Sequence, residues 1–180
     1  MYRFHYQVIK PTFPESALCF TDTDSFLYYI ETQDLYGQLS ELKDFFDFSN
    51  YEKHHPLYSA ENKSVVGKFK DETHGIPISE FVGLRSKMYS LLTVEGEQKN
   101  TAAGVKNYVA KKLTHDLYRQ VLLGQRDQED YVIRQTTFRS FLHTVFTVDS
   151  CKVGLTRYDD KRFILSDGVT TRPHGHFRNY

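Results

Sequence analysis

Apolar and polar positions along the chain change period several times, and each change marks a different element. Tyr2 to Ile9 reads as the end of a helix, broken by Pro11 and Pro14. Two apolar, β-prone runs follow, 17–21 and 26–31, flanking the polar turn Asp22-Thr23-Asp24-Ser25, and they predict a hairpin. Leu35, Leu39, Leu42 and Phe46 recur at helical spacing behind Asp34, a helix-capping residue, so 34–45 reads as a helix. Asp47 to Asn62, with His54-His55-Pro56, is polar and turn-rich and reads as a loop. Val65–Phe69 and Glu80–Thr93 read as strands of one antiparallel sheet, with Glu95-Gly96-Glu97 as a turn. Val105–Leu113 and His115–Leu123 read as two helices, the second ended by Gly124. From Tyr131 to Leu165 alternation and β-branched residues return, predicting a small sheet of two to four strands. No internal repeat and no low-complexity tract interrupts this order, and the shift of composition near residue 100 predicts a division there.

A length of 180 residues suits one ordinary domain or two small ones and is enough to bury a core. With 39% hydrophobic residues, 14 Phe and 13 Tyr, the chain has too much to bury for a disordered segment. No apolar stretch approaches the ~20 residues that span a bilayer, so no membrane partner is expected. The opening Met1-Tyr2-Arg3-Phe4-His5-Tyr6 lacks a signal peptide's apolar core, and an intracellular location is expected. Of the two cysteines, Cys151 and Cys19, the latter sits in an apolar strand and is expected to be a buried, inert thiol.

Formal net charge is zero, but it is unevenly spread. Residues 1–62 hold 4 Lys and Arg against 10 Asp and Glu, while residues 63–180 hold 19 against 13. A basic second half suits a partner with a phosphate backbone, although mixed charge also simply solvates a surface.

The chemistry concentrates at the hairpin tip. On a strand, Asp22 and Asp24 would share a face and repel. At a turn they are compatible with a divalent cation between them, and magnesium (Mg²⁺) takes one or two carboxylates plus waters and substrate phosphates. That donor set suits phosphoryl transfer. Asp, Thr and Ser are also ordinary turn formers, and Asp-x-Asp alone does not decide between the two. The eight histidines, among them His54-His55 and His174-Gly175-His176, lack the partnered Cys spacing of a zinc site.

Thr21-Asp22-Thr23-Asp24-Ser25 resembles motif C of the family B DNA polymerases, the palm hairpin that carries a catalytic aspartate. Gly67-Lys68-Phe69-Lys70-Asp71-Glu72 and Glu80-Phe81-Val82-Gly83-Leu84-Arg85-Ser86-Lys87-Met88-Tyr89-Ser90 resemble the protein-primed viral, organellar and transposon branch of that family. Within it, Lys87-Met88-Tyr89 matches the Lys-x-Tyr element that touches the primer end. Asp159-Asp160-Lys161-Arg162-Phe163-Ile164-Leu165 and Gly175-His176 resemble the branch's C-terminus. The similarity covers nearly the whole chain in order.

The resemblance implies an α+β fold: a partial polymerase palm, an antiparallel sheet with the acidic hairpin and helices, over 1–100, then a small mixed α/β thumb over 101–180. It implies a DNA-directed DNA polymerase, a nucleotidyltransferase, with Asp24 and secondarily Asp22 as catalytic, metal-holding carboxylates and Thr23 and Ser25 supporting the turn. Lys87, Tyr89, Arg85, Lys68 and Lys70 would contact primer DNA. Implied partners are primer-template DNA, deoxynucleoside triphosphates and a terminal priming protein. The exonuclease domain, the first palm aspartate and the fingers lie upstream in such enzymes, and this sequence holds none of them. The chain is therefore expected to supply part of a two-metal site and to be inactive alone. One departure stands out: the family's Lys-Gly-Val element is Ala103-Gly104-Val105 here, with Lys99, Lys106, Lys111 and Lys112 nearby. Two other readings remain. One is a non-catalytic DNA-binding remnant of such a polymerase. The other is a phosphatase of the haloacid dehalogenase type, which also places Asp-x-Asp after a buried strand but would continue into a helix rather than a second strand.

Overall fold

The computed structural model describes residues 1–125, 131–158, 162–168, 170–173 and 176–179. Positions 159–161 and 175, which carry part of the C-terminal resemblance, lie outside the described residues, as does 174. The fold is mixed α+β with small, mostly antiparallel sheets. The chain divides into two compact units, Met1–Ile78 and Ser79–Tyr180. Residue 100, where the sequence places its division, lies inside a strand of the second unit.

The first unit opens with a helical run, α1 (Tyr2–Phe4), a π-helical stretch His5–Ile9 and α2 (Lys10–Thr12). The run passes Pro11 instead of breaking before it. A proline ring collides with the carbonyl four residues back, and here the turn ahead of it is already widened, with the Lys10 N–H bonded five residues back to His5 O. Phe4, Val8, Ile9 and Phe13 make its buried stripe. Against them pack Phe26 and Tyr28 from the hairpin β1 (Ala17–Asp22) and β2 (Ser25–Tyr29), and Leu35 and Leu39 from α3 (Leu35–Glu41). Phe4 and Phe69 stack with ring centroids 4.0 Å apart. Asp34 caps α3 as expected, accepting from the Gly37 N–H at 2.8 Å. Its loss in Asp34→Ala is expected to cost about 1 kcal/mol of stability, read as a lower urea midpoint.

β3 (Phe46–Asp47) and β4 (Phe69–Lys70) form a two-residue parallel pair. The expected strand over Val65–Phe69 therefore shrinks to its last residue and pairs outside the sheet of residues 80–93. Two left-handed residues, Ser64 at φ 59° and Gly67 at φ 87°, bend the run, and Val66 is 99% exposed. The loop between β3 and β4 hangs on buried Asp47, whose Oδ1 accepts from the Ser49 N–H and Oδ2 from the Ser64 N–H, while the Asn62 amide donates to Lys43 O and Phe46 O.

In the second unit β5 (Ile78–Arg85), β6 (Met88–Thr93) and β7 (Gln98–Ala102) form a three-stranded sheet in that order. β7, too polar to read as a strand, pairs antiparallel with β6 across the expected turn at 95–97. The first expected helix reduces to α4 (Asn107–Ala110), since Lys106 is still extended and the chain beyond Lys111 closes three-residue turns. α5 (His115–Leu123) runs as expected and ends at Gly124, φ 65°. β8 (Tyr131–Phe141) and β9 (Thr144–Leu155) make a long hairpin, and β10 (Arg162–Ile164) pairs with β11 (Thr171–Pro173). The core gathers Val82, Leu84, Met88, Tyr118, Val121 and Leu155 from sheet, helix and hairpin base.

Candidate functional site

The acidic turn is as tight as a hairpin allows. Asp22 pairs with Ser25, leaving a two-residue loop of Thr23 and Asp24. Within this loop Thr23 alone takes a positive φ, 48°. A β-branched residue in that region is strained by about 1–2 kcal/mol. The turn closes through the Asp24 N–H on Asp22 O at 2.5 Å, and Ser25 Oγ donates to the same carbonyl at 3.1 Å. Thr23 Oγ1 donates to Asp22 Oδ1 at 3.1 Å. Thr23 Oγ1 and Ser25 Oγ thus both bond within the turn.

Register decides which way the carboxylates lie. Phe26 and Tyr28 face the core, so Asp22 and Ser25, paired across the strands, share the opposite face. A bulge interrupts the register between Leu18 and Phe20, and the Cys19 thiol is exposed together with Ala17 and Leu18, not buried as its apolar neighbours suggested. Asp24 stands in the loop and is exposed, Asp22 half-buried. Their oxygens are hard donors, and with waters and substrate phosphates they fit part of a Mg²⁺ shell. Among the described residues no third His, Cys, Asp or Glu joins them.

Lys68 and Lys70, in the first unit, are engaged locally. Lys68 Nζ donates to the Asp44 carbonyl, and Lys70 pairs with Asp47 at 3.0 Å and reaches Ser49 Oγ at 3.4 Å. Burial alone would raise the Asp47 carboxyl. Hydrogen bonds from Ser49 and Ser64 and the Lys70 ammonium outweigh it and hold the group well below the ordinary carboxylate range. Because the folded value is depressed, this stabilisation is present above the unfolded value of about 4 and is lost as pH falls toward the folded one. The urea midpoint is expected to drop between about pH 5 and about pH 2, and to drop less in Asp47→Asn. An equal slope in both proteins excludes Asp47 as the source.

Arg85, Lys87 and Tyr89 belong to the second unit. Arg85 ends β5, Lys87 occupies the β5–β6 turn at φ 56°, and Tyr89 lies on β6, its ring 6.0 Å from Phe81. The Lys87 carbonyl accepts from the Ala103 N–H at 2.9 Å, so Lys87 lies beside Ala103, while Met88 and Tyr89 pair with Ala102 and Thr101. Lys152 of β9 arrives there too, its Nζ donating to Gly104 O at 3.1 Å, and a Cβ on Gly104 would meet that nitrogen at 2.7 Å. Lys152 thus brings a cation to Gly104 from 48 residues away, which no local spacing in the sequence signals. Lys99, Lys106, Lys111 and Lys112 are exposed.

A second constellation has the composition of a hydrolytic triad. Ser90 Oγ lies 2.7 Å from His115 Nδ1, and His115 Nε2 lies 3.5 Å from Glu80 Oε2. Ser90 has no exposed surface and also donates to Asn100 Oδ1 at 2.5 Å, so no substrate reaches it. It ties β5, β6 and β7 to the start of α5.

Comparison with family models, curated proteins and solved structures returns no match. Among the described residues no helix is long and apolar enough to cross a membrane.

Proposed function

We propose that this chain is the C-terminal palm and thumb portion of a DNA-directed DNA polymerase of family B, of the protein-primed type. The observation that carries the reading is the two-residue acidic turn, with Asp24 exposed in the loop and Asp22 on the strand face away from the core. β1 turns straight into an antiparallel strand, which suits a palm hairpin and not the strand–helix continuation of a haloacid dehalogenase phosphatase. The second unit holds 16 Lys and Arg against 11 Asp and Glu, the balance of a surface that meets a phosphate backbone.

In the intact enzyme the primer 3′-hydroxyl attacks the α-phosphate of a deoxynucleoside triphosphate and pyrophosphate leaves. Mg²⁺, when bound, supplies the Lewis acidity that lowers the hydroxyl's pKa and offsets developing charge. Asp24, with Asp22, would hold it, while Ser25 and Thr23 keep the turn closed. Lys87 would meet the primer backbone as a point charge and Tyr89 its terminal sugar. Two carboxylates from one hairpin are half of a two-metal clamp, so the isolated chain is expected to hold DNA without extending it. This is also what a non-catalytic DNA-binding remnant would do.

Primer extension by the 180-residue chain, with Mg²⁺ and all four nucleotides, tests this alongside primer-template binding at low salt. Binding without extension is expected. Extension above an Asp24→Asn control would show that the upstream half is dispensable, and no binding by a folded sample would remove the polymerase reading. Lys87→Ala is expected to weaken primer-template binding equally for all sequences and to lower the salt slope by about 0.9. A sequence-dependent loss would point to base contacts instead.

A further inference from the structure

The β8–β9 hairpin outruns the core that holds it. Ile133, Gln135, Gly154 and Leu155 are buried at its base, and no residue between 136 and 153 is. Register puts Ile133, Gln135, Thr137, Arg139 and Phe141 on one face, with Lys152, Ser150, Val148, Phe146 and Thr144 opposite them. This face is core at one end and open at the other: Phe141 is 68% exposed and Phe146 43%. The reverse face carries Phe138, 77% exposed, and Val145, 67% exposed. At the apex Leu142 and His143 both take left-handed conformations, φ 46° and 62°, in a two-residue turn that favours Asn-Gly. Leu142 is 79% exposed there.

Charge narrows the occupant. Over residues 131–155 Arg134, Arg139 and Lys152 stand against the single acid Asp149. Asp149 is shared by Arg134 at 3.6 Å and Thr136 Oγ1 at 2.6 Å. Arg139 has no ion-pair partner among the described residues, and it sits directly across from Phe146, beside Phe141. Open aromatic rings, an uncompensated guanidinium and strand hydroxyls are the features that grip unpaired nucleotides, bases on the rings and phosphates on the cations. A bilayer surface wants one apolar side, whereas rings here occupy both faces.

We propose that the distal half of the β8–β9 hairpin binds single-stranded nucleic acid, stacking bases on Phe141 and Phe146 with Arg139 on the phosphates. This site is additional to the primer-template contact of the polymerase reading and does not depend on it.

Fluorescence anisotropy with a labelled oligothymidylate of about 16 nucleotides tests it, because stacking tolerates any base. The Phe141→Ser/Phe146→Ser double variant is expected to bind at least about tenfold more weakly, and Phe141→Tyr/Phe146→Tyr to retain binding. Arg139→Gln is expected to lower the salt slope by about 0.7. Far-UV circular dichroism and the thermal midpoint establish that each variant is folded. The proposal is overturned by equal oligothymidylate affinity in wild type and the double Ser variant. It is also overturned if those serines abolish sedimentation with phosphatidylserine vesicles, or self-association, and leave the oligonucleotide bound. A blunt primer-template duplex in the same assay separates the two readings. Wild type that binds the single strand but no duplex counts against the polymerase reading alone.

Discussion

Asp24→Asn, in a preparation that joins this chain to an upstream palm strand and fingers, is expected to lower nucleotide incorporation on the order of a thousandfold. That factor is the several kcal/mol of charge stabilisation a catalytic metal supplies, at about 1.4 kcal/mol per decade. Duplex affinity is expected to stay unchanged, because an exposed loop carboxylate contributes nothing attractive to a phosphate backbone. The asparagine keeps the shape and the turn, since the bonds that close the loop use the Asp24 backbone N–H, the Asp22 carbonyl and Ser25 Oγ. Single-turnover extension and anisotropy on the same primer-template measure both quantities. Undiminished incorporation would take Asp24 out of the mechanism. A parallel loss of duplex binding would instead indicate that the hairpin had rearranged. Asp22→Asn provides the comparison: Asp22 accepts from Thr23 Oγ1, so its replacement is expected to loosen the turn as well as weaken the proposed metal site.

Tyr118→Ala is expected to cost about 3–5 kcal/mol in the second unit, the range for emptying a large buried aromatic site. Tyr118 has no exposed surface and packs in the cluster with Val82, Leu84, Met88, Val121 and Leu155. Its hydroxyl donates to Thr101 O at 3.0 Å, joining α5 to β7, and burial pushes its pKa up to about 12, so it remains a neutral donor at any ordinary pH. Tyr118→Phe keeps the ring and strands the Thr101 carbonyl, and is expected to cost about 1–2 kcal/mol. The ratio of the two losses, from urea midpoints by circular dichroism, separates packing from hydrogen bonding. Equal losses would place the hydroxyl, not the ring, at the centre of the interaction.

Local chemistry was legible in the sequence wherever it is also local in space. The acidic hairpin, the Asp34 cap, the Gly124 stop and the 95–97 turn each follow from a few adjacent residues whose backbone preferences agree. The readings that changed involve partners far along the chain. β7, written Gln98-Lys99-Asn100-Thr101-Ala102, has no strand-like alternation and exists because β6 offers it a ladder and Tyr118 takes its carbonyl. Phe69 and Lys70 pair with Phe46 and Asp47 because the aromatic cluster around Phe4 and the buried carboxylate of Asp47 draw β4 there, away from the later sheet. Cys19 looked buried from its neighbours, but Ala17 and Leu18 are exposed with it, because this end of the hairpin has no packing partner among the core residues.

The candidate site divides along the same line. That two carboxylates occupy a hairpin tip was determined by the sequence itself, because Asp, Thr and Ser between two β-prone runs leave the backbone few alternatives. Tertiary structure decided the rest: Asp22 faces away from the aromatic core, Lys70 is committed to Asp47, and Lys152 reaches the Gly104 carbonyl from the long hairpin. Sequence specifies which donors exist and which short turns they can make. Register and long-range pairing specify what those donors meet, and these are set by side chains tens of residues away competing to be buried together.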